Sequence, residues 1–264
     1  MVRKLNEIVK FNNETNSFSF DFNSKNLNDI LLVSEAGVYK SSINDKIYWF
    51  GYKFNNIIDS KLRTKFINWI KGLVPDNRPK SSELYQFIDG PISKLDKIKP
   101  IVEFNAFVFP RSNRSELVNR IIHVLLNYAN RESSKMSFEL IKNLPNDISF
   151  DFDSFKIEAK DDHQIKQVFD YVNNELLPKI HSLDYFSIAQ NVRPKYRRFI
   201  KNFLKFKDSD SKNAFMSLQS SDVLIVDDIN TSGSTLNEVI RIIREVNPNI
   251  NIYIFTLLGK ELEV

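Results

Sequence analysis

The amino-acid sequence predicts an α/β fold, a doubly wound and mostly parallel sheet carrying an N-terminal α+β extension. Three observations lead there. Val223-Leu-Ile-Val226 is an apolar run with three β-branched members, the pattern of a strand buried on both faces. A small-residue loop follows it, and then Leu236, Val239, Ile240, Ile242 and Ile243 recur at helical spacing. A second strand–loop–helix pattern lies upstream, over residues 101–131, and another β run, residues 251–258, lies downstream. Strands that alternate with helices pair in parallel through right-handed crossovers.

In chain order, residues 18–22 alternate phenylalanine with polar residues and read as a strand. Residues 30–33 and 38–39 continue a β-leaning stretch broken at Gly37. The aromatic-rich residues 46–53 predict another strand with a hairpin partner. The aromatics around Trp49 suit core or interface packing, with a stacked nucleobase as the alternative. Ile58, Leu62, Phe66, Trp69 and Ile70 share a helical face, so a helix covers residues 57–73 and stops near Gly72. Residues 75–79 form a turn or linker, residues 82–87 a short helix, and Gly90-Pro91 a break before a lysine-rich run to Pro100. We place a domain boundary at 98, giving an extension over 1–98 and a second domain over 99–264.

In the second domain, residues 101–109 read as a strand and 110–115 as a loop. Residues 116–131 read as a helix with Leu117, Ile121, Leu125 and Tyr128 on one face and Ser115 as its cap. Residues 136–144 and 148–157 read as strands on either side of Pro145. The alternation of Phe150, Phe152 and Phe155 puts Asp151 and Asp153 on a wet face rather than in a catalytic pair. Residues 163–181 predict an amphipathic helix closing at Pro178, and residues 185–188 a short strand. From Arg193 to Lys212 eight basic residues face two aspartates, with Tyr196, Phe199, Phe203 and Phe206 interleaved. Three readings fit this segment: an electrostatic lid over a polyanion, a nucleic-acid arm, or a basic amphipathic element docked by its phenylalanines.

The absence of cysteine among 264 residues excludes disulfides and thiolate metal sites. Three scattered histidines, His123, His163 and His181, argue against zinc. The charged first residues lack the apolar core of a signal peptide, and no apolar run reaches the length of a membrane span, so the expected location is cytoplasmic, away from the membrane. A net charge of +4 favours a polyanionic ligand and permits nucleic acid.

The chemistry concentrates in Val223-Leu-Ile-Val-Asp-Asp-Ile-Asn-Thr-Ser-Gly-Ser-Thr235. Loop N–H groups and the positive end of the following helix dipole make an anion site, and the loop hydroxyls add donors. Gly233 lets the backbone approach a phosphate closely. Asp227 and Asp228 can accept hydrogen bonds from vicinal hydroxyls or sit beside a phosphate-bound Mg2+. A Walker-type reading of the acid-ended strand fails because no G-x-x-x-x-G-K-[ST] occurs. Phosphate, diol and metal together describe a ribose 5-phosphate.

This stretch resembles the 5-phosphoribosyl-1-pyrophosphate (PRPP) motif of the type I phosphoribosyltransferases: an apolar strand, two acids, two further positions, then a Thr/Ser-Gly-x-Thr loop. The resemblance implies a phosphoribosyltransferase-type sheet in which Asp227 and Asp228 hold the ribose hydroxyls. It implies that Thr231, Ser232, Gly233, Ser234 and Thr235 cradle the 5-phosphate. Pyrophosphate would fall to Arg111, Ser112 and Arg114, with Arg198 and Lys201 as further catalytic cations. Mg2+ would be the cofactor, held indirectly by Asp227 and Asp228 through water or ribose. Pro110-x-x-x-Arg114 and the helix after it look similar to the competence-associated branch. Asn230 departs from the pattern, which usually has an aliphatic residue there.

The reaction implied is displacement of pyrophosphate from PRPP by a nitrogenous acceptor, which the N-terminal part would recognise. The alternative is a non-catalytic or partner-dependent phosphoribosyl- or nucleotide-binding module in a nucleic-acid-linked antiphage defence or toxin–antitoxin assembly. A homodimer and a protein or nucleic-acid partner are compatible with both.

Overall fold

The computed structural model describes residues 9–12, 15, 17–20, 33–34, 41–43, 46–54, 60–74, 77–112, 115–129, 136–219, 221–230 and 232–259. Residues 30–32, 38–39 and 57–58, Arg114 and Thr231 therefore lie outside the described residues. The chain folds as two compact units. One comprises Met1–Ser137, Ser220–Thr231 and Asn251–Val264, the other Phe138–Gln219 and Ser232–Ile250.

Six of the described strands in the first unit belong to one mixed sheet. Its order is Ala106–Pro110, Asp222–Ile229, Asn251–Gly259, Lys46–Phe54 and Val33–Ser34, with Ser41–Ile43 also pairing Lys46–Phe54. The first four are mutually parallel and the two short strands are antiparallel. The α/β expectation is met, and the reason is visible in burial: Ala106–Pro110 is buried at every position and Asp222–Ile229 at all but its ends. Such strands need cover on both faces and accept parallel partners. Among the described residues, Ser60–Ile70, Ser81–Ile98 and Leu117–Tyr128 are the α-helices of this unit. A small antiparallel hairpin, Val9–Asn12 with Ser17–Phe20, sets Phe18 and Phe20 against Trp69 at ring separations of 5.5 and 4.9 Å.

Lys46–Phe54, expected in the extension, runs parallel to the last strand with Trp49 opposite Phe255. Trp49 stacks on Tyr253 at 5.6 Å and is buried, so it is core and not a base-stacking platform. Close approach explains Gly51: a Cβ there would lie 2.8 Å from both the Leu257 carbonyl oxygen and Pro91 Cβ.

The break expected at Gly90-Pro91 is absent, because Ser81–Ile98 is one helix. Pro91 removes the N–H that would bond the Phe87 carbonyl, and the Tyr52 hydroxyl donates to that oxygen instead at 2.8 Å. The strand expected over 101–109 is shorter. A 3-10 turn, Ile101–Glu103, follows Pro100, with Glu103 N–H donating to the Pro100 carbonyl, and the strand starts at Ala106.

The second unit holds the antiparallel pairing of residues 140–142, in the strand Met136–Lys142, with Leu204–Phe206, which sets Leu140 opposite Phe206. It also holds the small pair Ser149–Phe150 with Ile200–Lys201. Phe138, Phe206 and Phe215 form one buried aromatic cluster, and Phe150, Phe155 and Phe199 another. The strand expected over 148–157 stops at Phe150. Asp151 accepts from Ser154 N–H at 3.2 Å and starts the helix Phe152–Glu158, so the phenylalanine spacing served a helix face. The strand expected at 185–188 is also absent: Ser187 N–H donates to Asn191 Oδ1, and Ile188–Asn191 is a helical turn.

The long helix expected over 163–181 is composite. Asp162–Tyr171 leads into a π-helical stretch, Val172–Leu176, and then Leu177–His181. The register change to Leu177 N–H→Val172 carbonyl lets the chain pass Pro178 and run one more turn. Among the described residues no helix is long and apolar enough to cross a membrane.

Candidate functional site

The acid pair belongs to the first unit. Asp222–Ile229 has a parallel neighbour on each side over Val223–Ile225, and beyond that it stays paired with Asn251–Gly259, Asp227 opposite Thr256, so the carboxylates stand on a fixed frame. Asp227 and Asp228 are 7% and 4% exposed. The Asp228 N–H donates to Asp227 Oδ1 at 2.8 Å. Lys71 Nζ, at the end of Ser60–Ile70, reaches Asp228 Oδ2 at 2.8 Å.

Beside the acids runs a buried polar chain. Tyr48 Oη and Thr256 Oγ1 share a hydrogen bond of 2.9 Å, and Asn230 Nδ2 donates to Tyr48 Oη at 3.2 Å. Burial pushes the Tyr48 phenol up to about 12, with the Asp227 charge adding to it against the hydrogen bonds from Thr256 and Asn230. Tyr48 is therefore a neutral donor and acceptor at physiological pH. The polar residue at 230 has its reason here: Asn230 is buried against Tyr48, and its N–H continues the pairing to the Leu258 carbonyl at 2.9 Å.

The loop glycine and the helix belong to the second unit. Gly233 is the N-cap residue of Ser234–Val246 with φ 73° and ψ −8°, a left-handed conformation. Its carbonyl accepts the first helical bond, from Asn237 N–H at 2.8 Å. The added Cβ of an alanine would meet nothing closer than Asn237 Nδ2 at 4.0 Å, so backbone conformation, not space, asks for glycine. Ser232 is exposed, Ser234 is buried, and their hydroxyls lie 3.0 Å apart. The helix is held by buried Leu236, Val239, Ile240, Ile242 and Ile243, and by Glu238 bonding Arg241 through both carboxylate oxygens. First-turn N–H groups of such a helix have no intrahelical acceptor and suit an anion.

Residues 192–261 match the phosphoribosyl transferase domain family. The matched phosphoribosyl transferase segment takes in the acid strand, the Gly233 turn, the helix and the last strand. Among solved structures, a hypoxanthine phosphoribosyltransferase from Staphylococcus aureus aligns with 68% of this chain and 69% of its own length, at 11% identity and a TM-score of 0.34. The curated proteins contain no match.

The remaining expected residues of the phosphoribosyl transferase reading divide between the units. In the first, Arg111 is exposed and Ser112 half-buried, just after Ala106–Pro110. In the second, Arg198 pairs with Glu158 and lies over the Phe199 ring, and Lys201 Nζ lies 2.6 Å from Asp151 Oδ2. Burial opposes ionisation of Asp151, but Lys201 and Ser154 outweigh it and hold the carboxyl below its usual range. Arg197 donates to the Val192 and Ala189 carbonyls. Tyr196, Phe199, Phe203 and Phe206 are all buried, so the basic segment is docked by its aromatics as a 3-10 turn, Pro194–Phe199, and two short strands.

For a divalent cation the donor set is specific in kind. One Asp228 oxygen is taken by Lys71, and among the described residues no group of three or more His, Asp or Glu side chains converges. The acids suit a cation held chiefly by ligand oxygens and water, with the carboxylates at one remove. Sequence reasoning missed Tyr48, Thr256 and Lys71. Asn230 was the one signal, since a buried amide needs a polar partner.

Proposed function

We propose that the chain binds PRPP with Mg2+ and transfers the phosphoribosyl group to a nitrogenous acceptor, releasing pyrophosphate. The observation that carries this reading is the buried, strand-locked pair Asp227 and Asp228, standing in the matched segment with only Ile229, Asn230 and Thr231 between it and the Ser232-Gly233 turn. Asp227 and Asp228 accept the ribose 2′- and 3′-hydroxyls. Thr231, Ser232, Gly233, Ser234 and Thr235 take the 5-phosphate by N–H and hydroxyl donors. Fixing both ends of the sugar leaves C1 as the reacting atom, where a C–N bond forms as the C–O bond to pyrophosphate breaks. Catalysis is then mostly positioning and stabilisation of the leaving group's charge. Arg111, Ser112 and Arg114 are the leaving-group donors of this scheme. Asp227 and Asp228 would hold Mg2+ indirectly, and the ion would supply neutralisation of the pyrophosphate charge.

A second reading, binding without turnover, draws on the ion pairs of Arg198 with Glu158 and Lys201 with Asp151, which already engage two of the expected cations. One assay separates the readings: pyrophosphate release from Mg2+-PRPP across a panel of nucleobases and other nitrogenous acceptors. Release that Asp228→Asn abolishes supports transfer. Tight PRPP binding with no release across the panel supports the binding module.

A further inference from the structure

The acid pair has a resident cation that lies outside the matched family segment. Asp228 keeps 6% of its side-chain surface, and its Oδ2 is 2.8 Å from Lys71 Nζ, itself 22% exposed. A buried carboxylate without a counter-charge is strongly unfavourable, so this pair decides how Asp228 stands. The base of the lysine is held as firmly as the acid. Gly72 adopts φ 69°, its N–H bonds the Trp69 carbonyl at 2.9 Å, and Leu73 N–H bonds the Asn68 carbonyl at 2.9 Å. These two bonds are a Schellman closure with Lys71 as the last residue before the left-handed glycine. Buried Phe66, Trp69 and Ile70 anchor the same helix end.

We infer that Lys71 is a positioning residue of the proposed site, holding Asp228 by Oδ2 so that Oδ1 is presented to a sugar hydroxyl. This rests on the phosphoribosyl reading above. A carboxylate offers acceptor sites on both oxygens, so a lysine on one does not exclude a hydroxyl on the other. Lys71 acts through the acid and leaves the phosphate contacts to the loop. Its loss disorders the diol acceptor alone.

The test compares ribose 5-phosphate with 2,3-dideoxyribose 5-phosphate, titrated calorimetrically into the full chain and its variants. Wild type prefers the diol. Lys71→Met weakens ribose 5-phosphate about tenfold and the dideoxy sugar less than about twofold, while Lys71→Arg stays within about threefold of wild type for both. Parallel weakening of the two ligands, or no weakening, overturns the positioning role and leaves the phosphoribosyl reading standing. A wild type that binds neither sugar, or binds both equally, overturns the phosphoribosyl reading and this inference with it. Should Lys71→Met unfold, Lys71→Gln keeps a donor without the charge and carries the same comparison.

Discussion

Tyr48→Phe is the sharpest perturbation of the frame behind the acids. Tyr48 and Thr256 are fully buried and Asn230 is 4% exposed, and the phenol oxygen bonds both partners, at 2.9 and 3.2 Å. Removing it deletes two neutral hydrogen bonds and strands buried polar atoms, at a cost of about 2–3 kcal/mol. The chain has two tryptophans, Trp49 and Trp69, both buried in the same unit, so urea unfolding followed by tryptophan emission reads that unit directly. A pH series adds a second signature. The folded phenol sits at about 12 against an ordinary 10.0, so its stabilisation is whole below pH 10 and is lost as pH rises toward 12. That loss amounts to about 2–3 kcal/mol over the window. Tyr52, whose phenol burial also raises, contributes to wild type and variant alike. Wild type should therefore exceed Tyr48→Phe by about 2–3 kcal/mol near pH 8, and the gap should narrow toward pH 12. A gap under about 0.5 kcal/mol, or one constant with pH, would refute the reasoning.

Three further outcomes follow from the same structure. Tyr52→Phe should cost about 1–3 kcal/mol by urea unfolding, and clearly less in the Pro91→Ala background, where a restored N–H can bond the Phe87 carbonyl. Gly233→Ala should cost about 1–2 kcal/mol, because φ is 73°, and should weaken inorganic phosphate binding measured by calorimetry. Burial opposes ionisation of Asp222, but Lys99 at 2.8 Å and Asn251 outweigh it and hold the carboxyl below its ordinary 3.8. The stability it contributes is whole above that value and lost as pH falls through the lower folded value. In acid titrations Asp222→Asn should be less stable than wild type near neutrality and should lose less on acidification.

The acid strand, its loop, its helix and the last strand were legible because local pattern determines them: an apolar run, small residues, then helical spacing. Elements failed where one spacing served two structures. The Asp151 region reads as period two, yet a capping aspartate turns it into a helix. Gly90-Pro91 reads as a break, yet the Tyr52 hydroxyl supplies the missing donor from a distant strand. The supports of the acid pair were less legible still. Lys71 and Tyr48 meet Asp228 and Asn230 only through packing of the first unit, and nothing local to either residue announces its partner. Asn230 carried half of that message, since its amide departs from an aliphatic position.

The central claim, a phosphoribosyl pocket centred on Asp227 and Asp228, is tested most directly by calorimetric titration of PRPP with Mg2+. The comparison is between wild type and the Asp227→Asn/Asp228→Asn variant, each first shown to be folded by its tryptophan emission. The account predicts saturable binding to wild type and at least about a tenfold weaker interaction with the variant. Equal binding by the two proteins, or none by wild type, would contradict it.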